Sequence, residues 1–137
     1  MHTCCAPCSV YCIDSLRSEG IEPTLFWYNL NIHPYIEYKT RRDCLKDYAK
    51  QVGVKLIINE EYGLDEFCKN VVNDIPNRCV NYCYKKRLTE TVRYAAKNDY
   101  NAFTTTLLVS PYQNHDMLIT LLQADVAAEA VAQAELN

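Results

Sequence analysis

The sequence predicts an α/β fold in which a mainly parallel sheet is flanked by helices. Short apolar runs rich in β-branched and aromatic residues have the length of buried strands, and stretches with apolar residues at helical spacing separate them. Strands that alternate with helices in this way are typical of β–α–β units, whose strands lie parallel. A chain of 137 residues fits one domain, so residues 1–137 are expected to form a single compact unit.

The first half of the chain predicts two helix–strand pairs. Residues Cys8–Ser18 place apolar side chains on one helical face, and a glycine follows shortly after the last of them. The apolar run Thr24–Tyr28 is then predicted to be a buried strand. Tyr35–Val52 repeats the helical pattern and is closed by a glycine, and Lys55–Ile58 is predicted to be a second short strand.

The second half continues the alternation. Leu64–Asn73 and Lys85–Asn98 have helical spacing, and the basic residues of the latter lie on its outer side. Ala102–Val109, rich in Thr, Leu and Val, is predicted to be a third strand. From His115 the pattern is helical again, and residues 118–137 form an alanine-rich C-terminal segment.

Charge is distributed unevenly along the chain. All 14 Lys and Arg residues lie at or before Lys97, whereas the segment from Asn98 onward contains five acids and no basic residue. A partner that carries phosphates would therefore meet the earlier part of the chain. With only three glycines the chain has no glycine-rich phosphate loop, which argues against nucleotide hydrolysis.

Eight cysteines are the most unusual feature of the composition. The chain has no apolar run of roughly 18 residues and no signal-peptide pattern, so we expect no membrane span and a cytoplasmic location, where thiols stay reduced. In that compartment clustered cysteines indicate metal binding or redox chemistry. Cys44 and Cys68 stand apart from the others and are predicted to be small buried hydrophobes.

The remaining cysteines form two groups. The first lies in His2–Cys8, where three thiols fall within five residues just before a predicted helix, and the second contains Cys79 and Cys83. Together they offer at least four soft ligands, enough for zinc or an iron–sulfur cluster. Zinc sites usually separate paired cysteines by two to four residues, so the adjacent pair Cys4-Cys5 favours a cluster.

Other interpretations of the first group stay open. Cys5-Ala6-Pro7-Cys8 matches the C-x-x-C motif of thioredoxin-like dithiols, although that motif alone is weakly specific. Cys5, Cys8 and Cys12 follow the reverse of the cysteine order of radical-SAM enzymes, which argues against that class. Cys12 lies one helical turn after Cys8 and could simply face the core.

Four stretches in the same order resemble the QueH-type epoxyqueuosine reductases and together cover residues 2 to about 118. They are HTCCAPCS at His2–Ser9, FWYNLNIHPYIEY at Phe26–Tyr38, RCVNYCYKKRL at Arg78–Leu88 and FTTTLLVSPYQNHD at Phe103–Asp116. The resemblance implies a Rossmann-like (HUP-like) domain that reduces epoxyqueuosine to queuosine in the anticodon of tRNA, with electrons from an unidentified donor.

The resemblance also implies a set of site residues. The two cysteine pairs of the family pattern correspond to Cys4, Cys5, Cys79 and Cys83 of this chain. The resemblance implies that these four cysteines are the ligands of a [4Fe-4S] cluster. It implies a further iron beside the cluster, for which Asp14 is a candidate ligand. From its position before the second predicted helix, His33 is a candidate catalytic residue. Tyr112 is a second, the proton donor, from its position and the resemblance together. Thr105, Ser110, Gln113 and Arg87 are candidate substrate contacts. Arg87 and its neighbours Lys85 and Lys86 are candidates for contacts with phosphates.

The chain departs from the family pattern in three places. The later pair is spaced C-x-x-x-C, where C-x-x-C is expected, which predicts a small loop adjustment between Cys79 and Cys83. The usual first strand is reduced to a few residues, and residues 118–137 replace the family's C-terminal region with its C-G-C pair. We therefore expect a truncated or divergent member, with two alternatives: a zinc-stabilised binding domain, or a thiol–disulfide oxidoreductase that uses Cys5 and Cys8.

Overall fold

The computed structural model of the protein describes residues 1–136, with side chains at all of them except 131 and 133–136. These residues form five α-helices and two strands, which alternate only as far as β2. In chain order the elements are α1 Ala6–Ser18, β1 Thr24–Trp27, α2 Tyr35–Val52, β2 Lys55–Ile58, α3 Leu64–Val71, α4 Tyr84–Lys97 and α5 His115–Leu136. Short 3-10 turns lie at Ile75–Asn77 and Thr106–Val109, and a π-helical turn lies at Cys79–Cys83. The architecture is α/β but mostly helical.

The sheet consists of β1 and β2, which are parallel, with Thr24 opposite Lys55. His2 adds one parallel bridge to Phe26 of β1 and another to Thr105 on its other side. The parallel segments therefore lie side by side in the order Thr105, His2, β1, β2. From His2 to β2 they follow the order of the chain, whereas Thr105, the last of them in the chain, lies on the other side of His2, so the order reverses between His2 and Thr105. In open α/β sheets ligands bind beyond the carboxyl ends of the strands at such a reversal. The first cysteine group directly follows His2.

The predicted strand over Ala102–Val109 is wrong, and the sheet is smaller than predicted. The Thr105 Oγ accepts a hydrogen bond from the Leu107 N–H at 3.2 Å, and this cap turns the chain into the 3-10 turn Thr106–Val109. The Thr106 N–H still donates to the His2 carbonyl at 3.0 Å, which completes the single bridge between Thr105 and His2. Local capping by threonine overrides the strand propensity of this Thr/Leu/Val run.

The helices and strands of the first half lie close to their predicted positions. The bounds of α2 and β2 are confirmed, and Gly53 closes α2 in the left-handed conformation at φ 66°. Helix α1 begins two residues before the predicted start, because Pro7 fits the first turn of a helix, where its missing N–H costs nothing. Strand β1 ends at Trp27, one residue before its predicted end.

Two of the four apolar clusters among the described residues connect most of the helices. One joins α1, β1 and α2 through fully buried side chains that include Ile13, Trp27 and Leu45. The other joins α4, the Thr106–Val109 turn and α5, and its buried members are Tyr84, Leu88, Leu107 and Leu118. The helix predicted from His115 is confirmed as α5, while residue 137 of the predicted alanine-rich segment lies outside the described residues. No helix within residues 1–136 has both the length and the apolar character needed to cross a membrane.

Candidate metal centre

Three cysteines converge where the sheet order reverses. The thiol sulfurs of Cys4, Cys5 and Cys8 all lie within 4.8 Å of one another. Cys5 is the N-cap of α1 and Cys8 lies in its first turn, so the helix start draws the three side chains together. All three are half-buried. Thiolates at this spacing form a donor set that suits a thiophilic metal ion or an iron–sulfur cluster.

The thiols of this trio differ in acidity. The Cys4 thiol donates a hydrogen bond to the Cys5 sulfur at 3.8 Å. That bond, together with burial, holds the pKa of Cys4 far above its usual range, and the same bond lowers the pKa of Cys5. Burial raises the pKa of Cys8. Cys5 is therefore the first of the three to carry negative charge, and a bound metal would displace the remaining protons.

Thr106 holds Cys4 in place. Its hydroxyl donates to the Cys4 sulfur at 3.3 Å and accepts from the Cys4 N–H at 3.2 Å, and the residue is only 1% exposed. The sequence predicts a substrate contact at Thr105, the neighbour of Thr106. The Thr105 hydroxyl is buried and bonded to the His2 ring at 2.9 Å, so Thr106 is the threonine of this run that contacts the cysteines.

The second cysteine group lies on the π-helical turn that leads into α4. Cys83 is buried, and burial raises the pKa of its thiol, while Cys79 is half-buried. Cys79 and Cys4 pack against the same apolar cluster, which contains Tyr84 and Leu107. The fold therefore brings the two groups toward one another.

The extra residue of the C-x-x-x-C spacing is accommodated within the helix. The Tyr84 N–H bonds to the Cys79 carbonyl, five residues back, which makes Cys79–Cys83 a single π-helical turn. Such turns absorb one inserted residue without breaking the helix and occur frequently at functional sites. The adjustment predicted for this spacing is a widened helical turn rather than a loop.

Arg87 is a buried charged residue beside this second group. It lies one turn after Cys83 and donates from Nε to the Cys83 carbonyl at 3.0 Å. Its guanidinium lies over the Tyr84 ring, 6.0 Å from the centroid. With only 4% of its surface exposed, Arg87 is poorly placed for the phosphate contact expected from the sequence.

The loop after the Thr106–Val109 turn contains three predicted site residues. Tyr112 is 95% exposed, and its N–H donates to the Ser110 hydroxyl at 3.3 Å. The Gln113 side-chain carbonyl accepts a hydrogen bond from the Tyr84 hydroxyl. Since Tyr84 belongs to the cluster against which Cys4 and Cys79 pack, this contact connects the loop to the candidate metal centre.

The other two predicted catalytic residues lie apart from the cysteine trio. Asp14 is exposed on α1, and at about 100° per residue it lies on the opposite side of the helix from Cys12. His33 is half-buried between the rings of Tyr62 and Phe67, at centroid distances of 4.8 and 4.6 Å, and donates from Nε2 to the Leu30 carbonyl. Neither makes a hydrogen bond to a described cysteine.

The prediction that Cys44 and Cys68 are buried is wrong, because both are exposed. Each lies on the outer face of its helix, next to residues that do pack inward, such as Leu45. Cys12 is half-buried, and burial raises the pKa of its thiol. The isolated cysteines are thus surface residues, whereas those of the two groups are at least partly buried.

Comparison with known proteins identifies the family. The model of the family described as "Epoxyqueuosine reductase QueH" matches residues 1–134. The chain belongs to the QueH family. This confirms the resemblance carried by the four motifs.

Curated QueH relatives match most of this chain. Three of these relatives, each named "Epoxyqueuosine reductase QueH", come from Dehalococcoides mccartyi (34% identical over 97% of this chain), Histophilus somni (29% over 86%) and Acinetobacter baylyi (31% over 86%). The chain spans 69% of the first of these proteins, but only 50% and 56% of the other two. The matched part includes both cysteine groups of the QueH pattern.

Proposed function

We propose that this chain reduces epoxyqueuosine to queuosine in the anticodon of tRNA. The observation that carries the proposal is the convergence of Cys4, Cys5 and Cys8 at the sheet reversal of a QueH-family chain. The order Thr105, His2, β1, β2 supports a Rossmann-like (HUP-like) arrangement of residues 1–137 as one domain. The tRNA substrate implies action in the cytoplasm.

Within this proposal, Cys4, Cys5, Cys79 and Cys83 hold a [4Fe-4S] cluster. The donor set fits, because thiolates are the usual ligands of such clusters and the two cysteine groups pack against one apolar cluster. Cys8, the third thiol of the trio, is a better candidate ligand for a further iron than Asp14, which lies on the far side of α1. When bound, the cluster supplies single electrons and a further iron supplies a Lewis acid for oxygen.

The chain's own residues bind the substrate and supply protons. Converting an epoxide to an alkene takes two electrons from a separate reductant and two protons, and the oxygen leaves as water. Tyr112 is the proposed proton donor, because its hydroxyl projects from the loop that Gln113 ties to the centre. The Gln113 carbonyl is engaged by Tyr84, which leaves its amide N–H groups to contact the base. Ser110 lines the same loop.

The modified base lies in a single-stranded loop of tRNA and can be unstacked for reaction. Exposed basic side chains such as Lys39 and Lys85 are proposed to contact phosphates. The half-buried Lys86 forms an ion pair with Glu66 at 2.9 Å and is less available. Thr105 and Arg87 are not included among the substrate contacts, because both are buried and engaged inside the fold.

The direct test is anaerobic purification or reconstitution, followed by iron, sulfide and zinc counting and an assay on tRNA that contains epoxyqueuosine. About four irons or more with matching sulfide, together with formation of queuosine, is the expected result. A colourless protein that retains zinc would favour a zinc-stabilised binding domain. A metal-free protein that reduces disulfides through Cys5 and Cys8 would favour a thiol oxidoreductase.

Replacing Tyr112 with phenylalanine should lower turnover by about tenfold to a hundredfold while leaving the iron content unchanged, because one proton source is removed and no ligand is altered. The measurement is single-turnover queuosine formation by the reconstituted variant. Tyr11→Phe is the matched control, since Tyr11 is also exposed but lies on α1. Equal turnover in both variants would exclude Tyr112 as the proton donor.

A further inference from the structure

Arg87 is a buried cation without a carboxylate partner among the described residues. It is 4% exposed, yet no described Asp or Glu forms an ion pair with it. The half-buried arginines Arg17 and Arg42, in contrast, pair with Glu22 and Asp43. Because a buried charge is costly unless an opposite charge compensates it, the environment of Arg87 calls for an anion.

The groups around Arg87 identify that anion. Its Nε–H donates to the Cys83 carbonyl, and the Tyr84 ring lies beneath the guanidinium. Cys83 itself carries a buried thiol, and Tyr84 belongs to the apolar cluster against which Cys4 and Cys79 pack. Cys4 belongs to the first cysteine group, and Cys79 and Cys83 belong to the second. The guanidinium therefore contacts residues that lie next to both groups.

We propose that Arg87 is the counter-charge of the cysteine centre, a positioning residue that stabilises its thiolates when they hold a metal. A metal centre with three or four thiolate ligands carries net negative charge whether the metal is iron, zinc or cadmium. At short range in a partly buried site, a fixed cation stabilises such a centre much more than it would in water. The inference rests on the proposed function only for the identity of the metal.

The burial of Arg87 distinguishes this role from a phosphate contact. A residue that binds the tRNA backbone must present its guanidinium at the surface, as Lys85 presents its ammonium group on the same helix. Arg87 instead points its planar group toward the Cys83 carbonyl and the Tyr84 ring, and Tyr84 belongs to the cluster against which Cys4 and Cys79 pack. Its charge is therefore held inside the protein, next to the second cysteine group.

The test measures binding of Cd²⁺ alone to the reduced, metal-free chain, followed by the thiolate-to-metal absorption band and competition with a chelator. Arg87→Gln should weaken Cd²⁺ binding by about tenfold or more, because the centre loses its fixed positive charge. Arg87→Lys, which keeps the charge, should lose much less. Arg93→Gln is the matched control: it removes an arginine from the same helix, but one that is exposed and paired with Glu90.

Circular dichroism and urea unfolding of each variant separate a folding defect from a defect in the centre. If Arg87→Gln does not fold, Arg87→Met, which fills similar volume with an apolar chain, is titrated instead and should show the same loss. Cd²⁺ affinity equal to that of the Arg93→Gln control would overturn the inference. So would unchanged Cd²⁺ affinity combined with weakened binding of tRNA, which would make Arg87 a phosphate contact.

The same variants separate this inference from the proposed function. If the wild-type chain takes up no iron–sulfur cluster but Arg87→Gln still weakens Cd²⁺ binding, the proposed function fails and the counter-charge role stands. If the chain does take up the cluster, Arg87→Gln should also shift its reduction potential to a more negative value, because the more negative reduced form loses more stabilisation. An unchanged potential together with unchanged Cd²⁺ affinity would overturn the inference while leaving the proposed function intact.

Discussion

Replacing Cys4 with serine should abolish the visible absorption of the anaerobically reconstituted protein. Cys4 is the cysteine that joins the two groups: its sulfur is bonded to Cys5 and Thr106, and its side chain packs against the cluster that also contacts Cys79. A serine hydroxyl is far less acidic than a thiol and is a poor ligand for iron in a cluster, so one of the proposed ligands is lost. The measurement is the visible spectrum with iron and sulfide counts.

Cys44→Ser provides the matched control for this experiment. Cys44 is an exposed thiol on α2, outside both cysteine groups, so its loss should leave iron, sulfide and colour unchanged. The two variants differ only in which thiol is removed, and a general effect of cysteine replacement would appear in both. A Cys4→Ser protein with the spectrum of the wild type would remove Cys4 from the ligand set.

The parts of the fold that could be predicted from sequence are those fixed by local patterns. The bounds of α2 and β2 follow from apolar periodicity over 18 residues and from Gly53, whose positive φ ends the helix. The strand predicted over Ala102–Val109 failed because the Thr105 hydroxyl caps the 3-10 turn that follows, which leaves Thr105 alone paired with His2. Propensity alone does not register such contacts.

In the candidate site, too, features set by local sequence could be predicted, and features set by packing could not. Spacing and residue type were enough to identify the cysteine groups, because three thiols within five residues remain close in any fold. The position of Thr106 against Cys4 and the burial of Arg87 depend on packing between elements distant in sequence. Cys44 and Cys68 were predicted to be buried from residue type alone, and both are exposed. A lone cysteine does not reveal which face of its helix it occupies.

His2 links the prediction of the fold to that of the site. It is 0% exposed, and its Nδ1 is bonded to the Thr105 hydroxyl at 2.9 Å. Its Nε2 lies 3.2 Å from both the Tyr28 carbonyl and the Asn29 side-chain carbonyl. Because both of these partners only accept, the proton resides on Nε2, and the Thr105 hydroxyl donates to Nδ1. The neutral ring thus joins the segments on both sides of the sheet reversal, two residues before Cys4.

The neutral state of His2 predicts that the metal-free protein loses stability in mild acid. Burial, aided by the charge of Arg87, lowers the pKa of His2 from 6.5 to about 3 in the folded protein. Between these values the unfolded chain binds a proton that the folded chain does not, so the free energy of unfolding falls as the pH falls. From about pH 7 to pH 5 the loss from this one group is about 2 kcal/mol.

Urea unfolding of the reduced, metal-free protein at the two pH values measures this loss. His2→Gln removes the titrating ring. It should lower the free energy of unfolding at pH 7, because Thr105 and Asn29 lose their shared partner. It should also reduce the pH dependence; what remains includes the share of the Met1 amino group, whose pKa burial lowers from 8.0 to about 6. His115→Gln replaces an exposed histidine at the start of α5 and should keep the pH dependence of the wild type. If the wild type is equally stable at both pH values, or if His2→Gln keeps the full pH dependence of the free energy of unfolding, then protonation of a buried neutral His2 does not destabilise the fold.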